Sequence, residues 1–148
     1  MVKFEKVKRM EEDIKLPERS TLNCAGYDFF ALEDIIFPAK TITRVFTGVK
    51  CELMPNQVLI LANRSSNPSK KGLILLNGIG VVDADYYGNP DNDGEIAFEF
   101  YNIFEYEVEI KKGEKLGQGL ILEFDKTEDD YISNPYKTRT GGFGSTGE

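Results

Sequence analysis

The chain has 148 residues, 41% apolar and 29% charged, which suits one soluble domain with a real core and is too short for two ordinary ones. It contains no histidine, which excludes His-dependent triads, His general bases and the common zinc sites, and leaves acid–base work to carboxylates, Lys, Tyr or Cys. A formal net charge of −7 argues against a general basic surface for long nucleic acid, while a small anionic ligand needs local cations or a metal beside it.

The first fifteen residues, MVKFEKVKRMEEDIK, are charged throughout and lack the apolar core of a signal peptide. No apolar run approaches the length of a membrane span, so a cytoplasmic protein without membrane attachment is expected. Cys24 and Cys51 are isolated from each other and from any CxxC pair, and read as buried free thiols rather than a staple. Strand alternation begins clearly at Val49, Cys51 and Leu53, with Lys50 and Glu52 between them. It returns at Ile96, Phe98 and Phe100, and again at Val108 and Ile110. Residues 58–61 and 73–76 are apolar at every position, which predicts strands covered on both faces. Turn signals separate these runs at Pro38, Pro55, Pro90 and Gly113. Many short strands with regular turns predict an all-β sandwich or barrel.

One short helix is predicted at about Asn67 to Lys71, capped from Ser65 and Ser66, with Pro68 in its first turn. Arg64 and Ser65 then stand either at an anion-binding helix start or in a plain capped turn. Asn77-Gly78, between two apolar runs, predicts a tight hairpin with the Asn77 amide at its mouth. Asp83 then falls at the end of a buried strand, where a carboxylate caps a turn or does chemistry. From Asp125 the apolar pattern decays, which predicts a core domain over 1–124 and a flexible C-terminal arm over 125–148. The arm ends in Gly141-Gly142-Phe143-Gly144-Ser145-Thr146-Gly147, which reads as a flexible tail or as a wrap for phosphates.

Three local motifs fail. The GxGxxG match at 142–147 follows no strand and opens no helix, so it is no dinucleotide fingerprint. The Asn63 sequon has no secretory route. Counting an EF-hand from Asn89 puts Phe100 at the position that needs Glu.

Taken together, five segments resemble the five motifs of the trimeric dUTPase family, the deoxyuridine triphosphate nucleotidohydrolases. They are AGYDFFA (25–31), ANRSSN (62–67), NGIGVVDADYYG (77–88), GEKLGQG (113–119) and RTGGFGSTG (139–147). The resemblance runs from about Pro17 to Gly147, and its third and fifth motifs are the specific ones. It implies a jelly-roll homotrimer with three active sites shared between subunits. It implies hydrolysis of dUTP to dUMP and pyrophosphate by in-line attack of water on the α-phosphorus, with Mg²⁺ on the triphosphate. Such an activity limits uracil in DNA and supplies dUMP for dTMP synthesis. By the same resemblance Asp83 is the base for that water, and Asp28 holds waters of the Mg²⁺ shell. Arg64, Ser65, Ser66 and Gln118 are implied phosphate-side contacts. Asn77, with Gly80 and Val82 in the same segment, is implied to read uracil, and Tyr86 to pack under deoxyribose. Phe143 is implied to stack on uracil while Arg139, Gly144, Ser145 and Thr146 close over the terminal phosphates.

Three departures from the family pattern stand out. Residues 89–93 lengthen the connection after the third motif, read here as an enlarged turn and a candidate partner surface. Arg139 lies four residues before Phe143, where many relatives place it five before. Lys115 stands where Arg is common, keeping charge without the fork. The competing readings are a dCTP deaminase, or a bifunctional deaminase–hydrolase, of the same fold, and a regulatory nucleotide-binding protein.

Overall fold

The computed structural model describes residues 1–133. Its strands are β1 Lys3–Lys6, β2 Tyr27–Phe30, β3 Ile35–Phe37, β4 Ile42–Phe46, β5 Val49–Glu52 and β6 Gln57–Ala62. They continue as β7 Leu73–Leu75, β8 Gly80–Asp83, β9 Ala97–Asn102, β10 Val108–Ile110 and β11 Lys115–Glu123. All pair antiparallel, in a four-stranded sheet β2-β11-β6-β8, a three-stranded sheet β4-β9-β7 and two ribbons, β1-β5 and β10-β3.

The alternation read from sequence is what lets these sheets face each other. Leu59 and Leu61 of β6 point inward, as do Phe98 and Phe100 of β9. Phe29 meets Phe98 edge to face at 5.4 Å, and Phe37 meets Phe100 at 5.8 Å, so aromatic edges join the layers. The all-β, jelly-roll-like expectation holds.

Four local expectations are corrected. Asn77-Gly78 does form a tight turn, with Gly78 at φ 73° and its N–H bonded to Leu75 O at 3.0 Å. The flanking strands nevertheless do not pair as a hairpin: β7 takes β9 and β8 takes β6, so the turn is a corner between two sheets. The apolar runs are not covered on both faces within one chain. Ile74 is 42% exposed and Val81 57%, because periodicity cannot tell a face covered by the chain itself from one left to something else. Asp83 lies at the exposed end of a half-buried strand instead of a buried one. The short helix expected at Asn67–Lys71 is present over those residues as a single π-helical turn with Pro at its start; what is corrected is its cap, since Ser66 at the N-cap makes no side-chain capping bond.

What fixes that turn instead is Asn67, 1% exposed, whose Nδ2 donates to Asn63 Oδ1 at 2.8 Å and to Leu116 O at 3.0 Å. A second short helix, α1 Glu128–Ser133, lies where apolar periodicity had lapsed. Its signal is polar: the Thr127 N–H donates to Asp130 Oδ2 at 2.8 Å, one half of a capping box, and acidic residues fill the first turn. No helix among the described residues is long and apolar enough to cross a membrane.

Candidate active site

β2, β11 and the loop that precedes the π turn converge on one cavity. Ser20, Cys24, Asp28, Arg64, Ser65, Lys115 and Gln118 line a space of about 370 Å³. The β2–β11 ladder sets Asp28 directly opposite Gln118, and a register shift between Lys115 and Gly117 re-aims the start of β11. Gly26 leaves room beside them for the Gln118 amide, which a Cβ there would displace. Gln118 Nε2 donates to Asn63 O at 2.9 Å, which ties β11 to the loop that carries Arg64 and Ser65.

Asp28 is the electrostatic centre. Its carboxylate is 14% exposed and accepts from Lys115 Nζ at 2.7 Å and from Ser20 Oγ at 2.7 Å, with Arg64 Nε at 3.9 Å. Burial alone would push its pKa up. The Lys115 and Ser20 hydrogen bonds and the Lys115 and Arg64 charges outweigh burial and hold it below the ordinary aspartate value. Two cations around one carboxylate leave a positive surplus, which suits an anionic ligand. Ser20 and Lys115 were not picked out from sequence as site residues. Their meeting spans 95 positions, with Lys115 Nζ to Ser20 Oγ at 2.6 Å, and no local pattern encodes it.

The third motif lies elsewhere. Asn77 and Gly80 line a second, smaller cavity of about 160 Å³, with Arg44, Leu61, Leu75 and Glu99. Val82 packs its side chain into the core. Asp83 closes β8 opposite Val58. Tyr86 follows in the 3₁₀ turn Ala84–Tyr86, 7% exposed, and its hydroxyl donates to Glu95 O at 2.8 Å. Ser65 is exposed and Ser66 half-buried. Arg139, Phe143, Gly144, Ser145 and Thr146 lie outside the described residues.

The register gives the distance between the two carboxylates. Asp28 is opposite Gln118, Gln118 opposite Ala62, and Asp83 opposite Val58. Three inter-strand steps of ~4.8 Å, with a four-residue offset along β6 at ~3.3 Å each, separate them by about 20 Å. They occupy opposite edges of the same sheet. One chain therefore holds two separate clefts: a cationic cavity around Asp28, and a smaller one beside Asn77 and Gly80.

Comparison with known proteins matches this arrangement to one family. A family model described as dUTPase matches residues 12–147. The deoxyuridine 5'-triphosphate nucleotidohydrolase of Lactococcus lactis subsp. lactis (strain IL1403) is 45% identical over 134 residues, 90% of this chain and 89% of its own length. The crystal structure of dUTPase from Streptococcus mutans superposes with a TM-score of 0.81 at 40% identity, covering 84% of this chain and 98% of that one. A mutant dUTPase from phage phi11 of S. aureus, solved with a structural Mg(II) ion, gives a TM-score of 0.71 over 86% of this chain and 94% of that one; at 21% identity it shows the fold alone. None of these relatives is a deaminase. Matched across nearly its whole length in sequence and built on the same fold, the chain belongs to the dUTPase family.

Proposed function

We propose that the chain hydrolyses dUTP to dUMP and pyrophosphate, as a homotrimer whose sites are each assembled from more than one subunit. The observation that carries the reading is the cavity in which Asp28 is ringed by Lys115 and Arg64. It offers a polyphosphate two cations and keeps one carboxylate ionised. Gln118 and Ser65 line the same wall as further polar partners. Asp83 takes the proton of the attacking water as its oxygen bonds the α-phosphorus and the bond to the β-phosphate bridge breaks, releasing pyrophosphate.

Mg²⁺ fits the donor set in one way. Among the described residues no three His, Cys, Asp or Glu side chains gather to cage a metal. The Asp28 oxygens already accept from Ser20 and Lys115. The residues thus suit an ion ligated by phosphate oxygens and water, with Asp28 touching its water shell. When bound, the ion offsets the phosphate charge.

Asn77 and Gly80 supply the uracil end, Tyr86 the sugar floor, and Arg139, Phe143, Gly144, Ser145 and Thr146 the closure. Two carboxylates about 20 Å apart cannot act on one phosphate, which supports the shared site. The exposed apolar row of Ile74, Leu76, Ile79 and Val81 supports burial against a second copy. The test is pyrophosphate release from dUTP with Mg²⁺, against dCTP, dTTP and UTP. Turnover is expected for dUTP and very little for the others; comparable dCTP turnover refutes the substrate reading. Asp83→Asn should bind dUTP with turnover lowered at least about 100-fold. Near-normal turnover would remove Asp83 as the base.

A further inference from the structure

The lengthened connection after the third motif is an enlarged turn, and it packs inward. Asn89 is 4% exposed, and residues 88–95 curl back onto Tyr86. The Asn89 N–H donates to Tyr86 O at 3.1 Å, and the Gly88 N–H to Asp93 O at 3.2 Å. Most telling is the tyrosine hydroxyl. It donates to Glu95 O at 2.8 Å and accepts from Asn92 Nδ2 at 2.8 Å, so both of its hydrogen-bonding directions are used by one loop.

That loop is itself clamped. Asp93 accepts from Lys50 Nζ at 3.0 Å and from the Lys8 N–H at 2.9 Å. Glu95, with its side chain 5% exposed, accepts two bonds from Arg9, at 2.7 and 2.5 Å, and one from the Gly48 N–H at 2.8 Å. A side chain hung on so fixed a frame transmits the frame's position to the ring it bonds.

We propose that Asn92 is a positioning residue for sugar selection: its bond to the Tyr86 hydroxyl fixes the height of the ring on which deoxyribose rests, and so the room denied to a ribose 2′-hydroxyl. This rests on the reading of Tyr86 as the sugar floor. Asn92 acts through Tyr86 alone in this proposal. Its own Oδ1 accepts the Gly94 N–H at 3.0 Å, so the loop and the ring are held by the two ends of one amide.

The test separates those two ends. Asn92→Ser keeps a hydroxyl able to accept from the Gly94 N–H and is too short to reach Tyr86. The readout is the ratio of kcat/KM for dUTP over UTP, in wild type, Asn92→Ser, Tyr86→Phe, the double variant and Tyr86→Ala. Asn92→Ser is expected to lower the ratio about 10-fold, chiefly by admitting UTP, with a melting temperature close to wild type. In the Tyr86→Phe background it should change the ratio no further, because the acceptor is gone. If Tyr86→Ala lowers the ratio and Asn92→Ser leaves it within about two-fold, Asn92 only builds the loop and the proposal is overturned. If Tyr86→Ala leaves the ratio unchanged, the sugar-floor reading fails and takes the proposal with it. Should the serine variant not fold, Tyr86→Phe carries the comparison, since it removes the bond to the ring and leaves the Gly94 N–H on Asn92 Oδ1; a ratio within about two-fold of wild type then overturns the proposal.

Discussion

Gly117 offers a sharp test of how tightly the site is built onto the core. It follows Lys115 by two positions and precedes Gln118, at the register shift of β11. A Cβ added there would stand 2.8 Å from Cδ1 and from Cζ of Phe98, and closer still to Cε1. Ordinary carbon contacts are about 3.5–4.0 Å, so the ring must retreat by about 1 Å. It has little room to do so. Phe98 is 1% exposed, meets Phe29 edge-on at 5.4 Å, and stacks on Phe100 at 6.0 Å with 10° between the rings. Overpacking of this kind costs roughly 1–3 kcal/mol, and the blocked retreat places Gly117→Ala near the upper end. The lower backbone entropy of alanine in the unfolded chain returns about 0.5 kcal/mol. A net loss of about 2.5 kcal/mol converts, at roughly 2–4 °C per kcal/mol for a chain of this size, to a melting temperature about 5–10 °C lower. Calorimetry of both proteins at equal concentration measures it, since an oligomer's melting point depends on concentration. An unchanged or raised melting temperature refutes the packing argument.

Other outcomes follow from charge and burial. Burial would raise Asp93, but the Lys8 N–H, the Lys50 hydrogen bond and both lysine charges win and lower it below its ordinary value. A depressed carboxylate stabilises the fold fully above the unfolded pKa, near 4, and that stabilisation is lost as pH falls through the lower folded pKa. Asp93→Asn should flatten the decline in melting temperature below about pH 4, while costing about 3 kcal/mol at neutral pH by removing the carboxylate charge that Lys50, 10% exposed, pairs with. An acid limb as steep as wild type contradicts the assignment. Cys51 is 2% exposed, and burial, with a smaller effect from Glu52, pushes its thiol up to about 12, whereas Cys24 lines the Asp28 cavity. A thiol reagent at about pH 8 should therefore label one cysteine per native chain and two after denaturation; two native labels would show Cys51 to be accessible.

Much of the fold was legible because strand alternation is a local property. Val49 to Leu53 and Ile96 to Phe100 each state which side faces inward, and the sheets obey. Pairing is another matter. Asn77-Gly78 specifies a turn from two residues alone, but whether Leu73–Leu75 and Gly80–Asp83 pair across it depends on β9 and β6, which offer each a better partner. The site divides the same way. Asp28, Arg64, Ser65 and Gln118 were picked out and do converge, because each sits in a compact motif. Ser20 lies outside every motif and completes that cavity by meeting Lys115, a contact that only the folded chain brings together. Asn92 carries no motif at all; its part follows from a loop packed inward that composition alone reads as surface.

The placement of Asp28 and Asp83 on opposite edges of one sheet has a genetic consequence on the shared-site reading. A chain lacking one carboxylate still carries the other intact, so two different null alleles are not equivalent lesions. Mixed at random in equal amounts, they give about one site in four with both carboxylates, each donated by a different gene copy. The heritable unit of activity is then the set of neighbours, and an allele's phenotype depends on its company.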